Sequence, residues 1–92
     1  MKKYVVFYEA ADDLATKAPP AFPAHAARVR EFRERGTLLM IGTFADPQVD
    51  GSMAVFSTRE AAEDFAQGDP MVVQGVVKRW VVREWHESLA EL

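Results

Sequence analysis

The residues of this chain best placed to do chemistry are two histidines and an aspartate held in a turn. There is no cysteine, which removes disulfides, thiolate metal ligands and a cysteine nucleophile. His86 stands in Trp85-His86-Glu87 near the C-terminal end, where a solvated surface role accounts for it. His25 is different. It shares a stripe with Val29 and Phe32 at i, i+4 and i+7, the spacing of one helix face. Arg28, Arg30, Glu31 and Glu34 take the opposite positions. The stripe turns His25 towards the interior from the first turn of its helix, where it meets the positive end of the helix dipole. An imidazole in a partly buried pocket can act as a general base. Asp69, in Gly68-Asp69-Pro70, is its candidate partner: a carboxylate there would hold the ring's tautomer and balance its positive charge. Ordinary turn chemistry also accounts for an aspartate in that position.

The elements that must bring the pair together follow from local signals. Lys3 to Glu9 is β-branched and aromatic and reads as a strand. Asp12 to Pro20 reads as a proline-bearing loop, and Pro23 as the first turn of a helix over Ala24 to Arg35, closed by Gly36 with Arg33 and Arg35 in its last turn. Thr37 to Phe44 is the second strand; Asp46-Pro47 and Asp50-Gly51 mark a turn, and Ser52 to Phe56 is the third strand. Ser57 and Glu60 have the spacing of a capping box for a helix from Thr58 to about Gln67. Met71 to Gln74 suits a short helical turn, and Val76 to Trp85 is the last strand.

The order β-α-β-β-α-β predicts an α+β, ferredoxin-like domain over residues 1–92. Its four antiparallel strands form one sheet with both helices on one face. The last strand then pairs with the first. That brings the helix after strand one and the turn before strand four, hence His25 and Asp69, to one end of the sheet. Phe7 and Tyr8 end strand one near that point. Gly42 interrupts an apolar strand, the mark of a bulge or of a ligand approaching the backbone. All three are candidate substrate-binding residues.

The strands do not alternate cleanly. Tyr4, Val6 and Tyr8 oppose Val5 and Phe7; Leu38 and Met40 oppose Leu39 and Ile41; Met53 and Val55 oppose Ala54 and Phe56. Both sheet faces are apolar while two helices can cover only one, so a homodimer packed sheet to sheet is expected.

Composition narrows the partners. A net charge of −3, with basic residues interleaved among acids, provides no nucleic-acid stripe. No run of residues is long and apolar enough to span a membrane. The opening apolar run is too short for a signal segment, and the lack of cysteine suits a cytoplasmic location. No P-loop, G-x-G-x-x-G, H-E-x-x-H or paired metal-ligand spacing occurs, so neither cofactor nor metal is expected.

Taken together, Tyr4-Val5-Val6-Phe7-Tyr8, the helix-borne His25, Gly36-Thr37-Leu38-Leu39-Met40-Ile41-Gly42 and Ala61-Ala62-Glu63-Asp64-Phe65-Ala66 running into Gly68-Asp69-Pro70 and Gly75-Val76 resemble the YciI-related (YCII) domain family of the dimeric α/β-barrel superfamily. The resemblance covers nearly the whole chain, and His25 with Asp69-Pro70 is its most specific part. It implies a two-fold dimer whose sheets face each other and a pocket holding a His25–Asp69 pair. It also implies activity of the proton-transfer kind: dehydrochlorination in aromatic degradation, or isomerisation of lactones as in the related muconolactone isomerases. Two features depart from the pattern: His25 is flanked by Ala24, Ala26 and Ala27, and the loop between strands two and three is short.

Two functions are therefore weighed. One is an isomerase, lyase or dehydrochlorinase in which His25 takes a proton from a small, already activated organic acid, such as a cyclic or aromatic-derived one, and Asp69 orients it. The other is a module that binds a small ligand or a protein without catalysis. A catalytic site needs a cavity open beside His25, whereas a purely structural pair would be sealed.

Overall fold

A computed structural model describes residues 1–92. The elements run β1 (Lys2–Ala10), α1 (Leu14–Glu34), β2 (Leu38–Thr43), α2 (Pro47–Asp50), β3 (Ser52–Phe56), α3 (Arg59–Gly68), α4 (Pro70–Val73) and β4 (Val77–His86), with a 3₁₀ turn at Leu89–Glu91. The strands make one antiparallel sheet in the order β2-β3-β1-β4. This is the expected ferredoxin-like arrangement, with the short helical turn expected near Met71 present as α4 and one further short helix, α2, where a turn was expected. No helix is long and apolar enough to cross a membrane.

Both long helices lie on one face of the sheet. Phe32 of α1 and Ala62, Phe65 and Ala66 of α3 pack on Val6, Leu38, Ala54 and Phe56. The rings of Phe32, Phe56 and Phe65 meet with centroids 5.2–6.3 Å apart, a spacing that favours tilted and edge-on contacts. The other face carries Phe7, Met53 and Val81, with Met40 and Trp85 largely exposed. Neither long helix covers it.

The largest departure from the sequence reading is the start of α1. The segment expected to be a loop is helical from Leu14, and the helix runs through Pro19, Pro20 and Pro23. Each proline removes one intrahelical bond, freeing the carbonyls of Ala15, Thr16 and Pro19. Those three residues are solvent-exposed, so water can take the place of the missing donors. The N-terminal end is held from a distance: the Gln48 side chain accepts from the Leu14 N–H at 2.9 Å and donates to the Ala11 carbonyl at 2.9 Å. His25 is therefore about three turns into α1. The dipole effect is confined to the end turns, so it does not act on this ring.

Smaller corrections follow the same pattern. Thr58, not Ser57, caps α3, its hydroxyl accepting from the Ala61 N–H at 3.1 Å. The bulge in β2 lies between Leu38 and Met40 rather than at Gly42. It re-aims the strand: Leu38 and Ile41 sit opposite Phe56 and Ala54 on the helix side, and Met40 sits opposite Val55 on the other. Gly51 ends the α2 turn at φ 73° and ψ −148°, a region nearly reserved for glycine. A Cβ there would lie 1.9 Å from the Tyr8 carbonyl oxygen.

Candidate functional site

Asp69 is the one charged residue of the chain that is fully buried, and its environment explains how that is tolerated. Pro70 opens α4, and Asp69 Oδ1 caps that helix by accepting from the Met71 N–H at 3.1 Å. The same oxygen meets His25 Nδ1 at 2.8 Å, and Oδ2 accepts from the Tyr8 hydroxyl at 2.6 Å. A buried carboxylate is tolerable when donors surround it, and three do so here. Turn chemistry and side-chain pairing are thus both present in one residue. Since a carboxylate only accepts, Nδ1 carries the hydrogen, and the lone pair of the neutral ring sits on Nε2.

Nε2 has no protein partner. The ring lies between Phe22 and Phe65, at centroid distances of 6.0 and 6.3 Å, and keeps 17% of its side-chain surface open. It lines a cavity of about 510 Å³ between α1 and the sheet, within the size range of small-molecule sites. The walls are mostly apolar. Polar groups come from His25, Arg30 and a row of hydroxyls across the floor, Tyr8 of β1, Ser52 of β3 and Thr43 of β2, which are register neighbours. Sequence alone places Ser52 and Thr43 only within strands.

Of the candidate residues, His25, Tyr8 and Gly42 line this cavity and Asp69 lies directly behind His25. Phe7 is not brought to it. It faces the far side of the sheet, its ring 5.9 Å from the Arg83 guanidinium. Two arginines assigned to an outer helix face also take other places. Arg28 donates from Nε to the Phe65 carbonyl at 3.1 Å and from Nη2 to the Asp64 carbonyl at 2.7 Å. It thereby closes the C-terminal end of α3 just before Asp69 and ties that end to the helix bearing His25. Gly68 makes room for it: a Cβ there would stand 2.5 Å from the guanidinium. Arg30 lines the cavity. The missed signal is the series Leu14, Ala18, Phe22, Ala26, Arg30, spaced by four along one helix face, which starts in the segment read as loop. No group of three or more His, Cys, Asp or Glu is placed to hold a metal ion.

Burial, then the hydrogen bond and charge of Asp69, hold the Tyr8 phenol far above the ordinary tyrosine range, and Arg28 opposes this only in part. Tyr8 is therefore a donor to Asp69 at any working pH, never a base. The sign of the linkage is fixed. With the folded value raised, the contribution is complete below the unfolded value of about 10 and is lost as pH climbs above it. Tyr8→Phe should cost about 1–2 kcal/mol near pH 7 and flatten the alkaline loss of stability. Urea denaturation of both proteins between pH 7 and pH 11 checks this; parallel curves would exclude the linkage.

A ferredoxin-like α+β protein with a buried carboxylate behind a cavity-facing histidine is the class that fold and geometry define. The chain belongs to the YCII-related domain family, whose model matches residues 1–86. No curated protein matches the sequence. Among solved structures it is similar to 5-chloro-2-hydroxyhydroquinone dehydrochlorinase (TftG) from Burkholderia phenoliruptrix AC1100, in complex with 2,5-dihydroxybenzoquinone; identity is 17%, TM-score 0.65, and 95% of each chain is covered. It is also similar to protein Atu4242 from Agrobacterium tumefaciens, at 11% identity and TM-score 0.58, covering 97% of this chain and 95% of that one. An antibiotic biosynthesis monooxygenase is 14% identical with TM-score 0.53, covering 95% and 98%. At these identities the likeness is one of fold.

Proposed function

We propose that the protein is a proton-transfer enzyme of the isomerase, lyase or dehydrochlorinase type, acting on a small activated organic molecule. The observation that carries this reading is the 2.8 Å bond from His25 Nδ1 to buried Asp69, which leaves Nε2 unpartnered beside an open cavity. Nε2 takes a proton from substrate carbon or hydroxyl. The electron pair left behind forms a new π bond: either it expels a leaving group such as chloride, or it displaces an existing π bond whose far atom takes the proton back from the imidazolium. Asp69 holds the ring and balances the imidazolium, while Tyr8 keeps the second carboxylate oxygen occupied. The dehydrochlorinase named among the solved structures has this kind of reaction, which supports the class and leaves the substrate open. A sealed pair would favour a binding module; the open cavity favours catalysis.

The test is a panel of chlorinated hydroquinones, unsaturated lactones and other carbon acids. It is read by chloride release and by deuterium uptake from D₂O, with wild type set against His25→Ala. Turnover by the wild type alone is expected. No exchange on any panel member above the protein-free rate would count against the reading.

A second copy belongs to the same proposal. The uncovered sheet face, with Phe7, Met40, Met53, Val81 and Trp85, packs against its own image about a two-fold axis. Sedimentation equilibrium should return twice the chain mass of 10.3 kDa, and Met40→Lys should shift it towards the monomer. A wild type that sediments as a monomer at micromolar concentration would remove this part.

A further inference from the structure

We infer that Arg30 receives the anionic group of the ligand and so fixes which end of it meets His25. This rests on the reading of the cavity as a ligand site and deepens it. Apart from His25, Arg30 is the only ionisable cation among the lining residues, and no aspartate or glutamate lines the cavity. Arg28, Arg35, Arg59 and Arg79 each have an acidic partner; Arg30, Arg33 and Arg83 have none, and of these three only Arg30 lines the cavity. An unpaired guanidinium at the edge of an apolar cavity is a ready receptor for a carboxylate, which it can hold through two parallel hydrogen bonds.

The part of the cavity next to His25 has the opposite preference. The buried Asp69 carboxylate lies directly behind His25. A ligand anion placed against His25 would meet that charge in surroundings of low dielectric, where repulsion is strong. Arg30 follows His25 by five residues on α1, an axial rise of about 7.5 Å. The two residues also stand about 140° apart around the helix axis, so their side chains reach the cavity from different directions, and its volume of about 510 Å³ accommodates a single planar ring with its carboxylate at Arg30 and a proton-bearing atom at Nε2. The ring itself would rest on the apolar walls supplied by Phe22, Ala26, Val29 and Ile41. The ligand class is thus a small cyclic or aromatic monoacid, bound in one orientation.

Benzoate and benzamide are the probes, since they share a shape and differ in charge. Binding is followed by chemical-shift changes at residues of the cavity in wild type, Arg30→Gln, Arg30→Lys and His25→Gln. Wild type should prefer benzoate by roughly ten-fold, and the preference should weaken as salt is raised. Arg30→Gln should abolish the preference while benzamide binds as before; Arg30→Lys should retain part of it. His25→Gln should keep it, because the anion sits at Arg30 and not against His25. Equal binding of the two probes by wild type, or an undiminished preference in Arg30→Gln, would overturn the assignment. Arg30 is exposed, so its variants should melt as wild type does. Because the readout is binding, failure here is distinguishable from failure of the catalytic reading: a charge preference without turnover sinks only the latter.

Discussion

Replacing His25 by alanine should lower the rate of proton transfer by about 10²–10⁴-fold, the usual contribution of a placed general base. The size follows from the site's inventory. No other side chain of the cavity can accept a proton at neutral pH: the Tyr8 phenol is held protonated by burial and by Asp69, Arg30 is permanently charged, and Ser52 and Thr43 are simple hydroxyls. The fold should survive. Alanine is a strong helix former, His25 is partly exposed, and Asp69 keeps its bonds to the Met71 N–H and the Tyr8 hydroxyl. A loss of about 1–2 kcal/mol is expected from the missing bond. The vacated volume opens on the cavity, so added imidazole should restore part of the rate in the variant and none in wild type. Activity unchanged in His25→Ala would place the base elsewhere. An inactive variant whose melting had collapsed would be uninformative by itself, and His25→Gln, which keeps most of the volume, would replace it.

The parts of this arrangement that were legible in the sequence are those governed by short-range rules. Apolar runs bounded by turn signals located all four strands, and the 3.6-residue stripe His25, Val29, Phe32 turned the histidine to the correct side. Topology then carried His25 and Asp69 to one end of the sheet although 44 positions separate them. What was not legible depended on distant partners. Prolines at 19, 20 and 23 argue against a helix on local grounds. The helix forms because Gln48 supplies its missing cap from another part of the chain and because the residues whose carbonyls are freed are solvent-exposed. Misplacing that start had two consequences: it put His25 in a dipole field it does not feel, and it hid the row from Leu14 to Arg30 that lines the cavity. The bulge at the start of β2 is likewise a property of pairing with β3, and it decides that Ile41 rather than Met40 faces the cavity. Arg28 was read as a surface charge because nothing near it in sequence reveals the α3 carbonyls it closes.

Asp69 offers the second large effect, and two substitutions there separate its charge from its geometry. In Asp69→Ala the Tyr8 hydroxyl, the His25 Nδ1–H and the Met71 N–H lose their acceptor together. Breaking a buried network at its centre costs about 3–5 kcal/mol, against a total stability of roughly 5–14 kcal/mol for a chain of this size. Asp69→Ala should therefore be near the limit of folding, which urea denaturation would read directly. Asp69→Asn is gentler, because the backbone decides how the amide sits. The Met71 N–H is a fixed donor, so the amide oxygen must occupy the Oδ1 position, and it then still accepts from His25 Nδ1. The ring keeps its tautomer and Nε2 keeps its lone pair. The amide nitrogen falls opposite Tyr8, whose hydroxyl can turn to accept. What is lost is the negative charge that balances the imidazolium formed when the proton moves. Two unit charges about 4 Å apart at an effective dielectric near 20 interact by about 4 kcal/mol, which bounds the expected loss at roughly a thousandfold. Asp69→Asn should thus lose activity by no more than about a thousandfold, with stability reduced by only about 1–2 kcal/mol. If Asp69→Asn turns over as fast as wild type, the carboxylate is a structural cap for α4 and the pair is not a catalytic unit.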